Sequence, residues 1–228
     1  MASISTAPDQ CRVRVKICGV TSVEDAAAAV RCGADAIGLN FFEPSPRYVH
    51  PDRAREIARV LPPFISRVGV FVNAPDRYVE QVTGLVGLDL LQFHGDETPA
   101  QCERFGRAYL KSIAVRPGSD VEAVFEAYSS ASGVMLDAWH EQLRGGSGET
   151  FDWSLVPGNP SLPIVLAGGL NVDNVSRAVT QVRPFAVDVC GGVELSRGVK
   201  DVGKMAAFVH AVREAEMSLR VHTEAKSE

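Results

Sequence analysis

Strand-like and helix-like segments alternate eight times along the chain, and this alternation restricts the possible folds more than any other feature. Runs rich in valine, isoleucine, leucine and phenylalanine predict strands at 13–17, 35–42, 67–72, 88–93, 109–115, 133–138, 163–167 and 185–189. Alanine-rich or amphipathic runs predict helices at 23–31, 53–60, 76–85, 99–105, 121–129, 171–179 and 201–216. A longer glycine-rich loop follows the sixth strand. Eight β–α pairs in 228 residues predict an α/β fold, a single (β/α)8 barrel with parallel strands.

The nearly continuous apolar strands support a parallel sheet whose two faces are both covered. A doubly wound sheet is the alternative, but it does not explain why glycine-rich segments follow the last two strands. We therefore expect the barrel to occupy 13–216. A flexible N-terminal extension is expected at 1–12 and a polar C-terminal tail at 217–228.

Charge and cysteine content argue against several functional classes. The 28 acidic and 23 basic residues give a net charge of −5 without a basic tract, which argues against a nucleic-acid partner. Five scattered cysteines, without a C-x-x-C pair or metal-ligand spacing, indicate reduced thiols and no metal site. Neither an apolar leader nor a run of the ~18–20 apolar residues that a membrane helix needs is present. We expect a cytoplasmic protein without membrane contact.

In a (β/α)8 barrel the active site lies at the carboxyl ends of the strands. The polar side chains that the predicted strands deliver to this end are Cys18, Asn40, Arg47, His94, Asp96, Asp137 and Asp188. Gly168-Gly169 and Gly191-Gly192 follow strands seven and eight, where glycine lets backbone N–H groups approach an anion. Ordinary tight turns would also explain these glycines, but two adjacent strand exits with the same feature favour a phosphate site.

Cys18 and Asp137 are the candidates for acid–base chemistry. Cys18 ends the first strand and is either a small buried hydrophobe or a base, which would require a pKa lowered from about 8.5. Asp137 leaves an apolar strand, where burial would raise its pKa, although a capping role for the following loop is the alternative. If both shifts occur, the two groups form a general base and a general acid.

Arg47 and His94 leave two interpretations open. Arg47 follows a stiff Ser-Pro segment and is placed to bind a carboxylate, but a surface salt bridge would explain it equally well. His94 follows the fourth strand either as a satisfied core histidine or as a substrate contact. We keep His94 outside the catalytic set.

Six groups of motifs occur in order at strand exits between about residue 13 and residue 213. They are KICGVT from Lys16, SPRYV from Ser45, LQFHGDE from Leu91, LDA from Leu136 with GGSG from Gly145 and FDW from Phe151, AGGL from Ala167, and VDV from Val187 with GVE from Gly192. Each motif alone is weak. Together and in this order they resemble the phosphoribosylanthranilate isomerase family.

The resemblance implies a cofactor-free enzyme of tryptophan biosynthesis that acts on a small phosphoribosyl substrate. The reaction would be the Amadori rearrangement of N-(5-phosphoribosyl)anthranilate to 1-(2-carboxyphenylamino)-1-deoxyribulose 5-phosphate, with Asp137 as general acid and Cys18 as general base. Arg47 would hold the anthranilate carboxylate and Asp188 the sugar hydroxyls, with His94 as a further substrate contact. The phosphate-binding backbone would lie at Gly146, Gly168, Gly169, Gly191 and Gly192.

The sequence departs from the family pattern at Cys190-Gly191, where a serine pair is common, which leaves a side-chain hydroxyl for the phosphate in doubt. One alternative function is the histidine-pathway sugar isomerase, which performs the same rearrangement on a larger substrate. That enzyme uses aspartates in both roles, so Cys18 argues against it. A non-catalytic phosphosugar-binding barrel is the other alternative, which the apolar strands that deliver Cys18 and Asp137 disfavour. We expect a monomer, with a homodimer as the alternative.

Overall fold

Eight parallel strands form a closed barrel in which each strand pairs with its neighbours in sequence order and β8 pairs with β1. The computed structural model describes residues 12–116, 118–138 and 150–224. The strands are β1 Arg14–Ile17, β2 Ala36–Asn40, β3 Ser66–Phe71, β4 Leu90–Phe93, β5 Tyr109–Val115, β6 Gly133–Ala138, β7 Ile164–Leu166 and β8 Ala186–Val189. The predicted α/β barrel with parallel strands is confirmed.

Helices cover the outside of the barrel. They are α1 Val23–Arg31, α2 Pro51–Val60, α3 Asp76–Val86, α4 Pro99–Glu103, α5 Val121–Ala127, α6 Val175–Val182 and α7 Val202–Glu224. The prediction of eight β–α pairs needs one correction, because the described residues between β6 and β7 form a single 3-10 turn, Trp153–Leu155, instead of an α-helix. A short antiparallel hairpin between β8 and α7, formed by β9 Glu194–Ser196 and β10 Val199–Lys200, was not predicted.

Local sequence signals explain most helix ends. Ser22 caps α1 by accepting a hydrogen bond from the backbone N–H of Asp25. Thr98 and Gln101 form a reciprocal capping box on α4. The helix predicted at 171–179 begins only at Val175. Before it, the side chain of Asn171 accepts hydrogen bonds from two backbone N–H groups in a turn, so this asparagine does not cap the helix.

The last helix, α7, is hydrogen-bonded to the start of the first strand. It runs to Glu224, past the predicted end at 216. Within it the buried carboxylate of Glu216 accepts a hydrogen bond from the backbone N–H of Val13, and Arg213 Nη1 donates to Val13 O at 2.7 Å. The start of β1 is therefore held by side chains about 200 residues later in the chain.

Apolar side chains fill the barrel and the layer between strands and helices, but several buried side chains are charged or polar. Lys16, Gln92, Lys111 and Asp188 are among them. Buried charges and amides require hydrogen-bond or ion-pair partners, so these residues indicate a part of the interior that does more than pack apolar side chains. Among the described residues, no helix is long and apolar enough to cross a membrane.

Candidate functional site

A cavity of about 400 Å³ opens at the carboxyl ends of the strands, mainly over β6, β7 and β8. Its lining brings together seven of the predicted site residues: Arg47, Asp137, Gly168, Gly169, Asp188, Gly191 and Gly192. Cys18 lies beside this cavity, in contact with Cys190, which lines it. Gly146 lies outside the described residues. The residues predicted from the sequence therefore come together at one end of the barrel, although they lie far apart along the chain.

The pairing of β1 with β8 builds the base of the site. Lys16 stands opposite Asp188 in the strand register, and their side chains form a buried ion pair of 2.7 Å between Nζ and Oδ1. Side chains two positions apart on a strand point to the same side, so Cys18 follows Lys16 on this face. The ammonium group of Lys16 therefore interacts with two acidic groups, Asp188 and Cys18.

The surroundings of Cys18 favour its thiolate. A hydrogen bond from Cys190 lowers the pKa of Cys18 well below its usual value, and the charges of Lys16 and Lys200 lower it further against the opposing effect of burial. The same hydrogen bond to Cys18, together with burial, raises the pKa of Cys190 well above its usual value. The two pKa shifts have opposite directions, which favours Cys18 over Cys190 as the thiolate of the pair.

Asp188 is the second acid that depends on Lys16. Burial and the negative charge of Cys18 raise the pKa of Asp188 to about 7, although Lys16 acts in the opposite direction. One buried ammonium cannot fully compensate two buried anions, so ionisation of Cys18 disfavours ionisation of Asp188. Asp188 therefore titrates close to neutral pH.

Two glycines provide the space that the thiol requires. A Cβ atom on Gly38 of β2 would lie 2.7 Å from Cys18 Sγ and 3.1 Å from Lys16 Cε. Gly19 has a φ of +69°, and a Cβ there would lie 2.8 Å from Arg47 Cδ. Neither position accepts a larger side chain without moving a residue of the site.

Asp137 ends β6 and is held from two sides. Its Oδ1 accepts a hydrogen bond of 2.8 Å from the backbone N–H of Ala138, and its Oδ2 lies 3.2 Å from His94 Nε2. The other ring nitrogen, His94 Nδ1, lies 2.9 Å from Gln92 Nε2. Since His94 contacts Asp137 and is partly exposed, the core-histidine interpretation is wrong.

Gln92, two residues before His94, contacts the histidine ring and holds it in position. It is 1% exposed, and its Oε1 has no hydrogen-bond partner among the described residues. Its Nε2 also approaches Met135 Sδ at 3.3 Å. A buried amide that donates to a histidine nitrogen helps to set the orientation and tautomer of the histidine ring.

Arg47 forms a buried, bidentate ion pair with Glu194 of β9, in which Nε and Nη2 each donate a hydrogen bond of 2.8 Å. Glu194 also accepts from Lys200 Nζ at 2.9 Å. The surface salt bridge considered from the sequence is wrong, because Arg47 and Glu194 are both buried. Arg47 keeps its remaining N–H donors for the cavity that it lines.

The predicted phosphate-binding glycines lie at the exits of β7 and β8. Gly168 and Gly169 have φ values of +80° and +64°, which favour glycine. A Cβ on Gly168 would lie 2.3 Å from Ala138 N, and one on Gly192 would lie 2.0 Å from Leu170 O. The backbone at both exits therefore packs too closely for any side chain.

Sequence reasoning missed Lys16, Gln92, Glu194 and Lys200. The first two carried a usable signal, because each lies two residues before a predicted site residue on the same strand face. Glu194 and Lys200 themselves lie in the hairpin that was not predicted, so their contacts were not foreseen even though Glu194 ends the GVE motif. Among the described residues, no group of three or more histidine, cysteine, aspartate or glutamate side chains could hold a metal ion.

Comparisons with known proteins agree on one family. A profile of the family described as N-(5′-phosphoribosyl)anthranilate (PRA) isomerase matches residues 15–211. A Pseudomonas putida N-(5′-phosphoribosyl)anthranilate isomerase is 54% identical over 203 residues, which cover 89% of this chain and 98% of that protein. The corresponding Pseudomonas aeruginosa protein is 56% identical over 201 residues, or 88% and 95% of the two chains.

Solved structures agree with the sequence relatives. The crystal structure of phosphoribosyl anthranilate isomerase from Thermotoga maritima has a TM-score of 0.83 and 40% identity, covering 89% of this chain and 99% of that one. A further isomerase structure, with a TM-score of 0.79 and 39% identity over 89% and 99% of the chains, is a complex with reduced 1-(o-carboxyphenylamino)-1-deoxyribulose 5-phosphate.

Proposed function

We propose that Cys18 and Asp137 carry the two proton transfers in this chain, which belongs to the N-(5′-phosphoribosyl)anthranilate isomerase family. It is an aldose–ketose isomerase of tryptophan biosynthesis that acts on N-(5′-phosphoribosyl)anthranilate. The observation that supports the assignment of the two residues is their placement: a thiolate stabilised by Lys16 and a carboxyl held by His94 lie at the same end of the barrel.

The first proton transfer is assigned to Asp137. As general acid it protonates the ribose ring oxygen, and the ring opens to an iminium. Its Oδ1 accepts a hydrogen bond from the backbone N–H of Ala138, which fixes the orientation of the carboxyl group. His94 lies 3.2 Å from Oδ2, within reach to hold the carboxyl in place while it donates.

The second proton transfer is assigned to Cys18. Its thiolate removes the proton from C2 of the iminium, which gives an enolamine that tautomerises to the ketone product. Lys16 and the Cys190 thiol stabilise the thiolate before it reacts. When Cys18 accepts the proton, its negative charge disappears and Lys16 is left with Asp188 alone.

The remaining site residues are assigned to binding. The free N–H donors of Arg47 receive the anthranilate carboxylate, Asp188 contacts the sugar hydroxyls, and His94 is a further substrate contact. The phosphate is received by backbone at Gly146, Gly168, Gly169, Gly191 and Gly192, of which the last four line the cavity. Both proton transfers use side chains of this chain, so the proposed mechanism requires no cofactor.

Substitution of the two residues tests the assignment. Cys18→Ala and Asp137→Asn should each lower kcat by about 10²–10⁴-fold, the usual contribution of a general acid or base. The measurement is the loss of substrate fluorescence as N-(5′-phosphoribosyl)anthranilate is consumed, with circular dichroism to show that each variant is folded. Cys32→Ala, at a half-buried cysteine of the outer helical layer, is the matched control and should keep normal activity. Near-normal turnover by either site variant would contradict its assigned role.

A further inference from the structure

We propose that Cys18 and Cys190 form a reversible disulfide when the protein meets hydrogen peroxide, which makes this pair an oxidative modification site. The strand register supports it. Ile17 stands opposite Val189, and the backbone N–H of Cys18 continues the ladder by donating to Val189 O at 2.9 Å. Cys18 and Cys190 therefore directly follow the last paired residues of two adjacent strands. Adjacent strands lie about 4.8 Å apart, a spacing within the range of Cα separations that disulfides span.

The strand alternation also places the two thiols on the same face of the barrel. One pair earlier in the register, Lys16 and Asp188 face the barrel interior and touch at 2.7 Å. Two positions later along each strand the side chains return to the same face, which brings Cys18 and Cys190 together. The Cys190 Sγ lies beside the residue that follows Cys18, since a Cβ atom built on Gly19 would be 3.0 Å from it, and each thiol shifts the pKa of the other.

The charged groups around Cys18 and Cys190 favour oxidation of the two thiols. The Cys18 thiolate attacks a peroxide oxygen and becomes a sulfenic acid, with release of hydroxide. The Cys190 sulfur then attacks the Cys18 sulfur, the S–O bond breaks, and the proton of the Cys190 thiol leaves with the departing oxygen as water. In sum, two thiols and one peroxide give one disulfide and two waters. Lys200 Nζ, 3.8 Å from Cys190 Sγ, stabilises the second sulfur as it loses its proton.

The other described cysteines have less reactive surroundings. Burial raises the pKa of Cys32, and burial raises the pKa of Cys102 to about 11. Since the thiolate is the species that reacts with peroxide, both thiols should oxidise more slowly than Cys18. Formation of the disulfide requires only the geometry, whereas the loss of turnover that it causes rests on the proposed role of Cys18 as the base.

Peroxide treatment with two separate readouts tests the proposal. The full-length protein is treated with hydrogen peroxide, then assayed for turnover and for intact mass. We expect inactivation together with a mass loss of about 2 Da, the two hydrogens of a disulfide. A tryptic peptide should link Cys18 to Cys190, and dithiothreitol should restore full activity and the original mass. Three of the five thiols should remain free for alkylation.

Cys190→Ser removes the second thiol, so the Cys18 sulfenic acid is free to oxidise further to sulfinic and sulfonic acids, which dithiothreitol does not reduce. This variant should therefore gain mass instead of losing it and should recover only part of its activity. Cys32→Ser is the matched control and should behave like the wild type. Wild-type inactivation without a disulfide, or equal recovery of Cys190→Ser by dithiothreitol, would overturn the proposal. A disulfide that forms while turnover persists would support the modification site and contradict the assignment of Cys18 as base.

Discussion

At the scale of single residues, Asp188 makes the stability of the protein depend on pH. Its pKa in the folded state is about 7, well above the usual value near 3.9 for an aspartate in an unfolded chain. The protonated form is therefore favoured by folding, and the stability that it contributes is present at low pH and is lost as the pH rises toward 7. Asp188→Asn cannot ionise, so relative to this variant the wild type should lose about 3 kcal/mol of unfolding free energy between pH 5 and pH 8. Urea unfolding of both proteins at the two pH values measures this change, and a constant difference between them would contradict it.

At the scale of elements, the approach of β2 to β1 leaves room for the thiol only because β2 contains Gly38. A Cβ at this position would lie 2.7 Å from Cys18 Sγ, and the φ of Gly38 is not in the left-handed region, so space alone forbids alanine. Gly38→Ala should cost about 1–3 kcal/mol of stability and about 10²-fold in kcat, because the thiol is displaced. Gly84→Ala in α3, where nothing lies within 4 Å, is the control and should stabilise the protein by about 0.5–1 kcal/mol. Thermal unfolding and steady-state kinetics of the two variants provide the comparison, and unchanged kinetics of Gly38→Ala would refute the spatial argument.

Strands and helices could be predicted from the sequence where a local residue pattern defines them. The bounds of β5 and β6 agree with prediction, because apolar runs and flanking turns define them without help from the rest of the chain. The pairing of Arg47 with Glu194 was not predictable, since it joins residues 147 positions apart through a hairpin without a strong pattern. The direction of the Cys18 pKa was partly hidden, because its largest cause, the hydrogen bond from Cys190, crosses the β1–β8 pairing, whereas Lys16 lies on the same strand as the thiol.

At the scale of the whole molecule, the oligomeric state stays a prediction, and we expect a monomer. The observation that favours a homodimer is Phe64, which is fully exposed in the loop between α2 and β3 with a φ of +72°. Sedimentation equilibrium at micromolar concentration should give the mass of one chain, 24.5 kDa, for the wild type and for Phe64→Ser alike. Twice that mass for the wild type, returning to 24.5 kDa in the variant, would contradict the monomer and identify the contact.

The position of the site where β1 meets β8 has a consequence for the order in which the protein is made. Lys16 and Asp188 are separated by 172 residues, and so are Cys18 and Cys190. Contacts between such distant residues form late in folding, because the chain must first lose the entropy of closing a very large loop. On the ribosome, the first strand emerges long before β8, and Cys18 meets neither Asp188 nor Cys190 until nearly the whole chain has been synthesised. The thiol therefore remains an ordinary, weakly acidic cysteine throughout translation and acquires its reactivity only when the barrel closes.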